Sequence, residues 1–228
     1  MRLIFMGSPA FAVPTLEALL KAGHEIVLVC TQTDKPKGRS KKAVSCPVKA
    51  FAVSENLPVF QPVSLRRKSS VETLKACRAD AVIVSAYGKI LPKEVLSMTP
   101  LGCFNVHASL LPKYRGAAPV EWAILDGETE TGITIMQMDE GLDTGDMLLK
   151  AEFPIGEDTT LEEVHDGLMG MGAKVLMDTL EKLSDGTLTR TPQPEESNYA
   201  PMLTKTTGQI DWSKPAQEVH NLVRGLNS

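Results

Sequence analysis

The amino-acid sequence predicts an α/β protein built on an open, mixed and mostly parallel sheet. Residues 2–6 and 25–30 are apolar strand-like runs, and residues 10–22 between them carry apolar side chains at helical spacing. A strand–helix–strand unit of this length implies parallel strands joined by a right-handed crossover. Residues 81–85 form another buried-type strand. Residues 133–138 alternate as a strand and take residues 147–151 as an antiparallel partner, which makes the sheet mixed.

The remaining elements follow from periodicity and from turn residues. We predict helices over 47–55, 70–77, 120–125 and 160–183, and another helix that begins near Pro215. Short strands are predicted over 57–60 and 209–212. Residues 187–199 are rich in Pro and Glu and are predicted to be a linker.

Composition is that of an ordinary globular protein, with 43% apolar and 23% charged residues among 228. No run approaches eighteen consecutive apolar residues, so we expect no membrane span. The N-terminus enters a strand directly and lacks the features of a signal peptide. The four cysteines are scattered without a Cys-x-x-Cys pair, which favours reduced thiols in a cytoplasmic protein and argues against a zinc site.

Charge is unevenly distributed along this acidic chain, whose net charge is −4. Residues 1–50 carry eight Lys and Arg against three Asp and Glu, whereas residues 121–166 carry fourteen acids and one Lys. Residues 35–49 hold six basic side chains and no acid. Such a loop suits phosphate contacts with an anionic partner, although an exposed and solvated loop is the alternative interpretation.

The first loop, residues 6–9, matches neither the dinucleotide fingerprint nor the P-loop motif. We therefore expect no nicotinamide cofactor and no P-loop nucleotide. Gly7 in this loop allows the turn to pass close to a ligand or to a neighbouring strand.

The strongest candidate site is the stretch 102–112, where a short apolar strand runs into a Ser/Pro loop. Asn105 and His107 are two residues apart, so their side chains point to the same face of the strand. Open α/β sheets bind ligands where strands end. Alone, such a pair is more often a structural cap of the strand end than a functional site, so the rest of the chain must decide.

Two further loops have sequence patterns that could belong to ligand-binding sites. Residues 86–91 are apolar but contain loop residues, which favours a backbone that lines a pocket for a flat ligand; a turn that buries Ile90 and Leu91 is the compatible alternative. Residues 139–146 contain four acids and two glycines without EF-hand spacing, and could be only a solvated hairpin tip.

Taken together, these motifs resemble the 10-formyltetrahydrofolate-dependent formyltransferases. The shared segments are residues 105–112, 114–116, 132–134 and 141–145. Further segments resemble the branch of that family that acts on methionyl-tRNA, and they are residues 6–9, 37–42, 115–119 and 136–139. The resemblance extends over essentially the whole chain and implies a Rossmann-like sheet with helices on both faces.

The resemblance implies a catalytic trio of Asn105, His107 and Asp143. A substrate amine attacks the formyl carbonyl, and negative charge develops on the carbonyl oxygen. Asn105 can donate a hydrogen bond to that oxygen, since neutral donors of this kind stabilise developing oxyanions. His107 can stabilise the same charge or carry a proton to N10 of the folate, and Asp143 can orient His107. This chemistry requires neither a metal nor a covalent enzyme intermediate.

The resemblance also implies binding segments. The expected folate-binding residues are Ala86, Tyr87, Gly88, Lys89, Ile90, Leu91, Ser109, Leu110, Leu111, Pro112, Asp139, Glu140, Gly141 and Leu142. The expected tRNA-binding residues are Arg39, Lys41 and Lys42. The co-substrate is then 10-formyltetrahydrofolate, the partner is initiator methionyl-tRNA, and we expect a monomer that contacts no membrane.

The expected domains are a catalytic domain over 1–188 and, over 189–228, a linker with the start of a shortened C-terminal tRNA-binding region. Two alternatives remain at this stage. One is formyl transfer to a small molecule such as glycinamide ribonucleotide or an amino-sugar nucleotide. The other is a folate-binding or RNA-binding domain without catalysis.

Overall fold

A computed structural model describes residues 1–36 and 43–227. Its helices are α1 (Val13–Lys21), α2 (Pro47–Ser54), α3 (Lys68–Ala76), α4 (Lys93–Leu96), α5 (Pro119–Leu125), α6 (Leu161–Ser184) and α7 (Ala216–Leu226). Its strands are β1 (Arg2–Gly7), β2 (Glu25–Cys30), β3 (Lys35–Pro36), β4 (Ala43–Val44), β5 (Val59–Phe60), β6 (Ala81–Ser85), β7 (Cys103–His107), β8 (Arg115–Gly116), β9 (Glu130–Gln137), β10 (Met147–Pro154) and β11 (Tyr199–Ala200).

The main sheet is mixed and mostly parallel, as the sequence predicts, and has seven strands within the described residues. Strands β7, β6, β1, β2 and β5 pair side by side in that order, and each pair is parallel. Strand β9 pairs with β10 in the antiparallel direction. The α/β fold class is therefore confirmed.

The described chain divides into two compact units. The first contains Met1–Val106 and Gln137–Glu140, and the second contains His107–Met136 and Gly141–Ser228. In the first unit, apolar side chains of the parallel strands pack in one cluster. This cluster includes Ile4, Met6, Leu28, Cys30, Val82, Val84, Tyr87, Leu91 and Cys103. Apolar burial of this extent holds the carboxyl ends of the parallel strands in fixed positions.

In the second unit, the long helix α6 packs against strand β10. Its first turn is closed by a capping box, in which Thr160 and Glu163 each accept from the other's backbone N–H. Strands β8 and β11 pair in parallel, with Tyr199 opposite Arg115 and Ala200 opposite Gly116. The end of the predicted linker is thereby held beside Arg115 and Gly116, in the segment that follows β7.

One predicted strand is wrong. Residues 209–212 are described and form no strand. Asp211 instead closes a turn, since its carboxylate accepts from the N–H and the hydroxyl of Ser213, and its carbonyl accepts from the N–H of Lys214. Ile210 and Trp212, whose alternation suggested a strand, are both exposed. Local side-chain hydrogen bonding of this kind competes with strand formation.

Of the two close approaches expected at Gly7, to a ligand or to a neighbouring strand, the structure confirms the approach to a neighbouring strand. An added Cβ at this position would lie 2.7 Å from the Ser85 carbonyl oxygen and 2.9 Å from the Ala12 Cβ. Gly7 and Ser85 are paired across β1 and β6. Glycine therefore allows these two strand ends to approach each other closely.

We predict that Gly7→Ala destabilises the protein by about 1–3 kcal/mol, because the methyl group overlaps backbone that cannot easily move. Urea unfolding measures the change.

Gly170→Ala is the matched control. Gly170 lies in the exposed interior of α6, and its added Cβ would meet nothing within 4 Å. This variant should gain about 0.5–1 kcal/mol of stability, because alanine has the higher helix propensity. Equal unfolding midpoints for the two variants would contradict the account of Gly7.

Candidate active site

His107 stands at the end of strand β7, and its side chain is buried. Its Nε2 lies 2.9 Å from the carbonyl oxygen of Tyr114. A carbonyl oxygen can only accept, so we assign the ring hydrogen to Nε2. The other ring nitrogen, Nδ1, then faces the Asp143 carboxylate at 3.8 Å. This nitrogen is free to carry the second proton of the ring.

Asp143 is held in a rare backbone conformation with φ of 53°. Its Oδ2 accepts a hydrogen bond of 3.0 Å from the N–H of Gly116. Only 12% of its side chain is exposed, so its charge is weakly screened by solvent. The separation from His107 is longer than a hydrogen bond but within the range of an ion pair with a protonated imidazole.

Asn105 is half-buried on the same strand as His107, two residues earlier. The predicted strand is therefore present, and its pleat directs both side chains to one face. Asn105 belongs to the first unit, whereas His107 and Asp143 belong to the second. The structure brings His107 and Asp143 within 3.8 Å of each other, and the catalytic roles of all three residues stay predictions.

Tyr114 shapes the loop that holds His107. Its φ is 59°, which is uncommon for a side chain of this size. Its hydroxyl donates to the carboxylates of Asp126 at 3.1 Å and Glu128 at 3.0 Å, and its N–H donates to Asn198 Oδ1 at 2.5 Å. Burial, followed by the negative charges of these carboxylates, raises the pKa of the Tyr114 phenol well above its usual value.

The first expected folate segment, residues 86–91, leaves β6 as a strained loop. Ala86 and Gly88 have φ of 47° and 70°. The Lys89 ammonium donates to the carbonyl oxygens of Pro62 and Val63, and burial is the main cause that lowers its pKa. Ile90 is 75% exposed, so the alternative in which this turn buries Ile90 is wrong, while Leu91 is buried.

The second expected folate segment, residues 109–112, is fixed by side chains of the second unit. Thr134 Oγ1 donates to the Ser109 carbonyl at 2.7 Å and accepts from the Leu111 N–H at 3.1 Å. The Lys150 ammonium donates to the Leu111 carbonyl. The peptide bond between Leu111 and Pro112 is cis. Residues 110–112 line a cavity of about 280 Å³ within this unit.

The remaining expected folate residues lie in the acidic loop. In the first unit, Glu140 forms an ion pair of 2.8 Å with Lys93, and this hydrogen bond raises the pKa of Lys93. In the second unit, Leu142 is 51% exposed. An exposed Ile90 and an exposed Leu142 are each suited to apolar contact with a ligand.

The expected tRNA-binding residues Arg39, Lys41 and Lys42 lie outside the described residues. Over residues 1–36 and 43–227, no group of His, Cys, Asp and Glu side chains is arranged to hold a metal ion. No helix in this same part of the chain has the length and apolar character needed to cross a membrane.

The sequence did not predict the hydrogen bonds that hold His107 and Asp143 in place. Tyr114 belonged to a recognised motif, but nothing in the sequence indicated that its carbonyl binds His107. Gln193 was assigned to a linker, yet its amide donates to the carbonyl oxygens of Asp143 and Gly145 at 2.8 and 2.7 Å. Contacts between a side chain and a backbone group about fifty residues away leave no local pattern.

Comparison with known proteins identifies the family to which this chain belongs. The model of the formyl transferase family matches residues 1–180, and the model of the formyl transferase C-terminal domain matches residues 202–228. The methionyl-tRNA formyltransferase of Acetivibrio thermocellus is 57% identical over 228 residues. That of Ruminiclostridium cellulolyticum is 54% identical over the same length. In both cases the alignment covers 100% of this chain and 73% of the relative.

The fold of this chain is similar to that of a solved structure. The N-formyltransferase of Helicobacter canadensis in complex with folinic acid and dTDP-3-aminofucose has a TM-score of 0.73. It is 21% identical, and the match covers 98% of this chain and 79% of that one. At this identity the likeness shows the fold alone. The family model over residues 1–180 and the two relatives above 50% identity together show that the chain belongs to the formyl transferase family.

Proposed function

We propose that the chain transfers the formyl group of 10-formyltetrahydrofolate to the amino group of initiator methionyl-tRNA. The product is N-formylmethionyl-tRNA, which is used in translation initiation. The observation that carries this proposal is the 57% identity to a methionyl-tRNA formyltransferase over all 228 residues. The buried His107 beside Asp143 supplies acid–base groups suited to this chemistry.

The reaction exchanges one carbon–nitrogen bond for another. The methionyl nitrogen attacks the formyl carbon, which forms a new N–C bond and places negative charge on the formyl oxygen. The bond from that carbon to N10 of the folate then breaks. Overall, the amine loses a proton and N10 gains one, so the products are the formylated amine and tetrahydrofolate.

Each residue of the trio has one role in this scheme. Asn105 donates a hydrogen bond to the formyl oxygen as it becomes negative. His107 keeps its Nε2 hydrogen on the Tyr114 carbonyl, so Nδ1 is the nitrogen that exchanges protons. Asp143 stabilises the imidazolium electrostatically and accepts the proton of the attacking amine through water.

The folate contacts are part of the proposal. Residues 86–91, 109–112 and 139–142 supply backbone groups and apolar side chains to the folate. The exposed Ile90 and Leu142 support this assignment, because a flat aromatic ligand would remove their apolar surface from water.

We propose the tRNA contacts from the positive charge of one segment of the chain. Arg39, Lys41 and Lys42 belong to a run of six basic residues without an acid in a chain of net charge −4. We assign them to the phosphates of the tRNA acceptor stem, where binding depends strongly on salt. Residues 1–188 are then the catalytic domain, and residues 189–228 are a linker with the start of a C-terminal tRNA-binding region.

Further parts of the proposal concern the state of the protein in the cell. One chain carries all three proposed catalytic residues, so we propose that it acts as a monomer. We also propose a cytoplasmic location, because initiator tRNA is charged in the cytoplasm. Sedimentation equilibrium tests the first point directly.

An acceptor assay tests the proposed function. The protein is incubated with 10-formyltetrahydrofolate and, separately, with initiator methionyl-tRNA, glycinamide ribonucleotide or an amino-sugar nucleotide. Formylation of methionyl-tRNA is the expected result. Formylation of a free nucleotide without any formylation of methionyl-tRNA would overturn the proposal.

We predict that Asn105→Ala lowers kcat about 10²- to 10³-fold, because the oxyanion loses one donor. Folate binding should change little, since the hydrogen bond strengthens mainly in the transition state. Steady-state kinetics with both substrates varied measure this. Gln209→Ala, which removes an exposed amide elsewhere in the described chain, should retain full activity. Unchanged turnover in Asn105→Ala would remove this role.

We predict that Arg39→Ala raises the KM for methionyl-tRNA and leaves the KM for folate unchanged. The slope of log KM against log salt should fall by about one unit, because one phosphate contact is lost. Arg66→Ala removes the same charge from another exposed position and is the control. An identical salt dependence of the Arg39 variant and the unmodified protein would contradict the assignment.

A further inference from the structure

We infer that Gln193 is a positioning residue for the proposed catalytic Asp143, supplied by the segment that follows the catalytic domain. This inference rests on the proposed function, because it assumes that Asp143 takes part in formyl transfer. Gln193 lies between the two family-model matches, which end at residue 180 and begin again at residue 202. Its position alone therefore indicates no role.

The Gln193 side chain bridges the backbone on both sides of the Asp143 turn. Its Nε2 donates to the carbonyl oxygen of Asp143 at 2.8 Å and to that of Gly145 at 2.7 Å. Two hydrogen bonds from one amide nitrogen use both of its N–H groups. Gln193 is half-buried, so water competes weakly for these carbonyls.

Asp143 needs such a support because its backbone is strained. A non-glycine residue with φ of 53° occupies a sparsely populated region, and surrounding contacts must hold it there. The Gly116 N–H fixes the carboxylate, and Gln193 fixes the main chain of the same residue. Together they set the direction in which the carboxylate faces His107.

Arg115 fixes the orientation of the Gln193 amide. Its Nε donates to Gln193 Oε1 at 2.9 Å, so the NH₂ group must point toward the two carbonyls. The same guanidinium donates to Ser197 Oγ at 3.0 Å and to the Pro194 carbonyl at 3.1 Å. Strand β8, which carries Arg115, also carries the N–H that binds the Asp143 carboxylate.

Within one unit, residues 193–200 are therefore joined to the loop of Asp143 by the Gln193 side chain and to β8 by the pairing of β11. A change in the position of this segment would move the Asp143 carboxylate relative to His107. Reaction rates fall steeply when a catalytic group is displaced by even about 1 Å. Gln193 thereby links the geometry of the proposed active site to the position of the segment that follows the catalytic domain.

The test compares Gln193→Ala with the unmodified protein in formyl transfer to methionyl-tRNA. We expect kcat to fall about tenfold or more, while the KM values for both substrates change by less than about twofold. A residue that only stabilises the fold would lower the unfolding temperature without this selective loss of kcat. An unchanged kcat would overturn the inference.

Two further single variants separate the contacts. Gln193→Glu retains an acceptor for Arg115 but loses the donor to the carbonyls, so its kcat should fall at least as far as in Gln193→Ala. It also covers the case in which Gln193→Ala does not fold. Ser197→Ala removes one Arg115 contact outside the bridge and should retain full kcat. Full activity of Gln193→Glu would overturn the inference.

A double-mutant cycle distinguishes the inference from the function on which it rests. If Gln193 acts through Asp143, Gln193→Ala should cost no more than about twofold in an Asp143→Ala background. If the fold-losses in kcat of the two single variants multiply in the double variant, Gln193 acts independently of Asp143. That result would overturn this inference but not the proposed function. Full activity of Asp143→Ala would instead overturn the proposed role of Asp143.

Discussion

The hydrogen bond between His107 Nε2 and the Tyr114 carbonyl is the constraint on which the site depends. It assigns the ring hydrogen and leaves Nδ1 facing Asp143. The carbonyl can serve this purpose because Tyr114 is held at a φ of 59° by its hydroxyl and its N–H. Backbone strain is stored at functional sites in many proteins, and here it aims an acceptor at a buried imidazole.

The same principle explains Asp143. Its carboxylate is placed by a turn with positive φ, and backbone and side-chain donors hold that turn. Within the parallel sheet, β7 pairs with the buried strand β6, and this pairing fixes the end point of β7. Strand β7 therefore carries Asn105 and His107, whereas a tethered turn holds Asp143. If these residues act as proposed, such precision matters, because small displacements of a catalytic group cost large factors in rate.

Much of this fold could be predicted from the sequence. Strand β6 is a continuous apolar run, and α6 repeats apolar residues at helical spacing, so local pattern determines both. The pairing of Asn105 with His107 on one strand face followed from a period of two. The strand over 209–212 was wrong because Asp211 caps a turn. The support from Gln193 could not be predicted, because its partners lie about fifty residues away and are backbone carbonyls.

The most direct test of this account is ¹⁵N NMR of the protein labelled in its histidine rings. His107 is assigned by the loss of its signals in His107→Gln, which separates it from the other three histidines. The account predicts that the neutral His107 ring carries its hydrogen on Nε2, where it donates to the Tyr114 carbonyl oxygen. A neutral His107 ring with its hydrogen on Nδ1 would contradict the central role of the Tyr114 carbonyl.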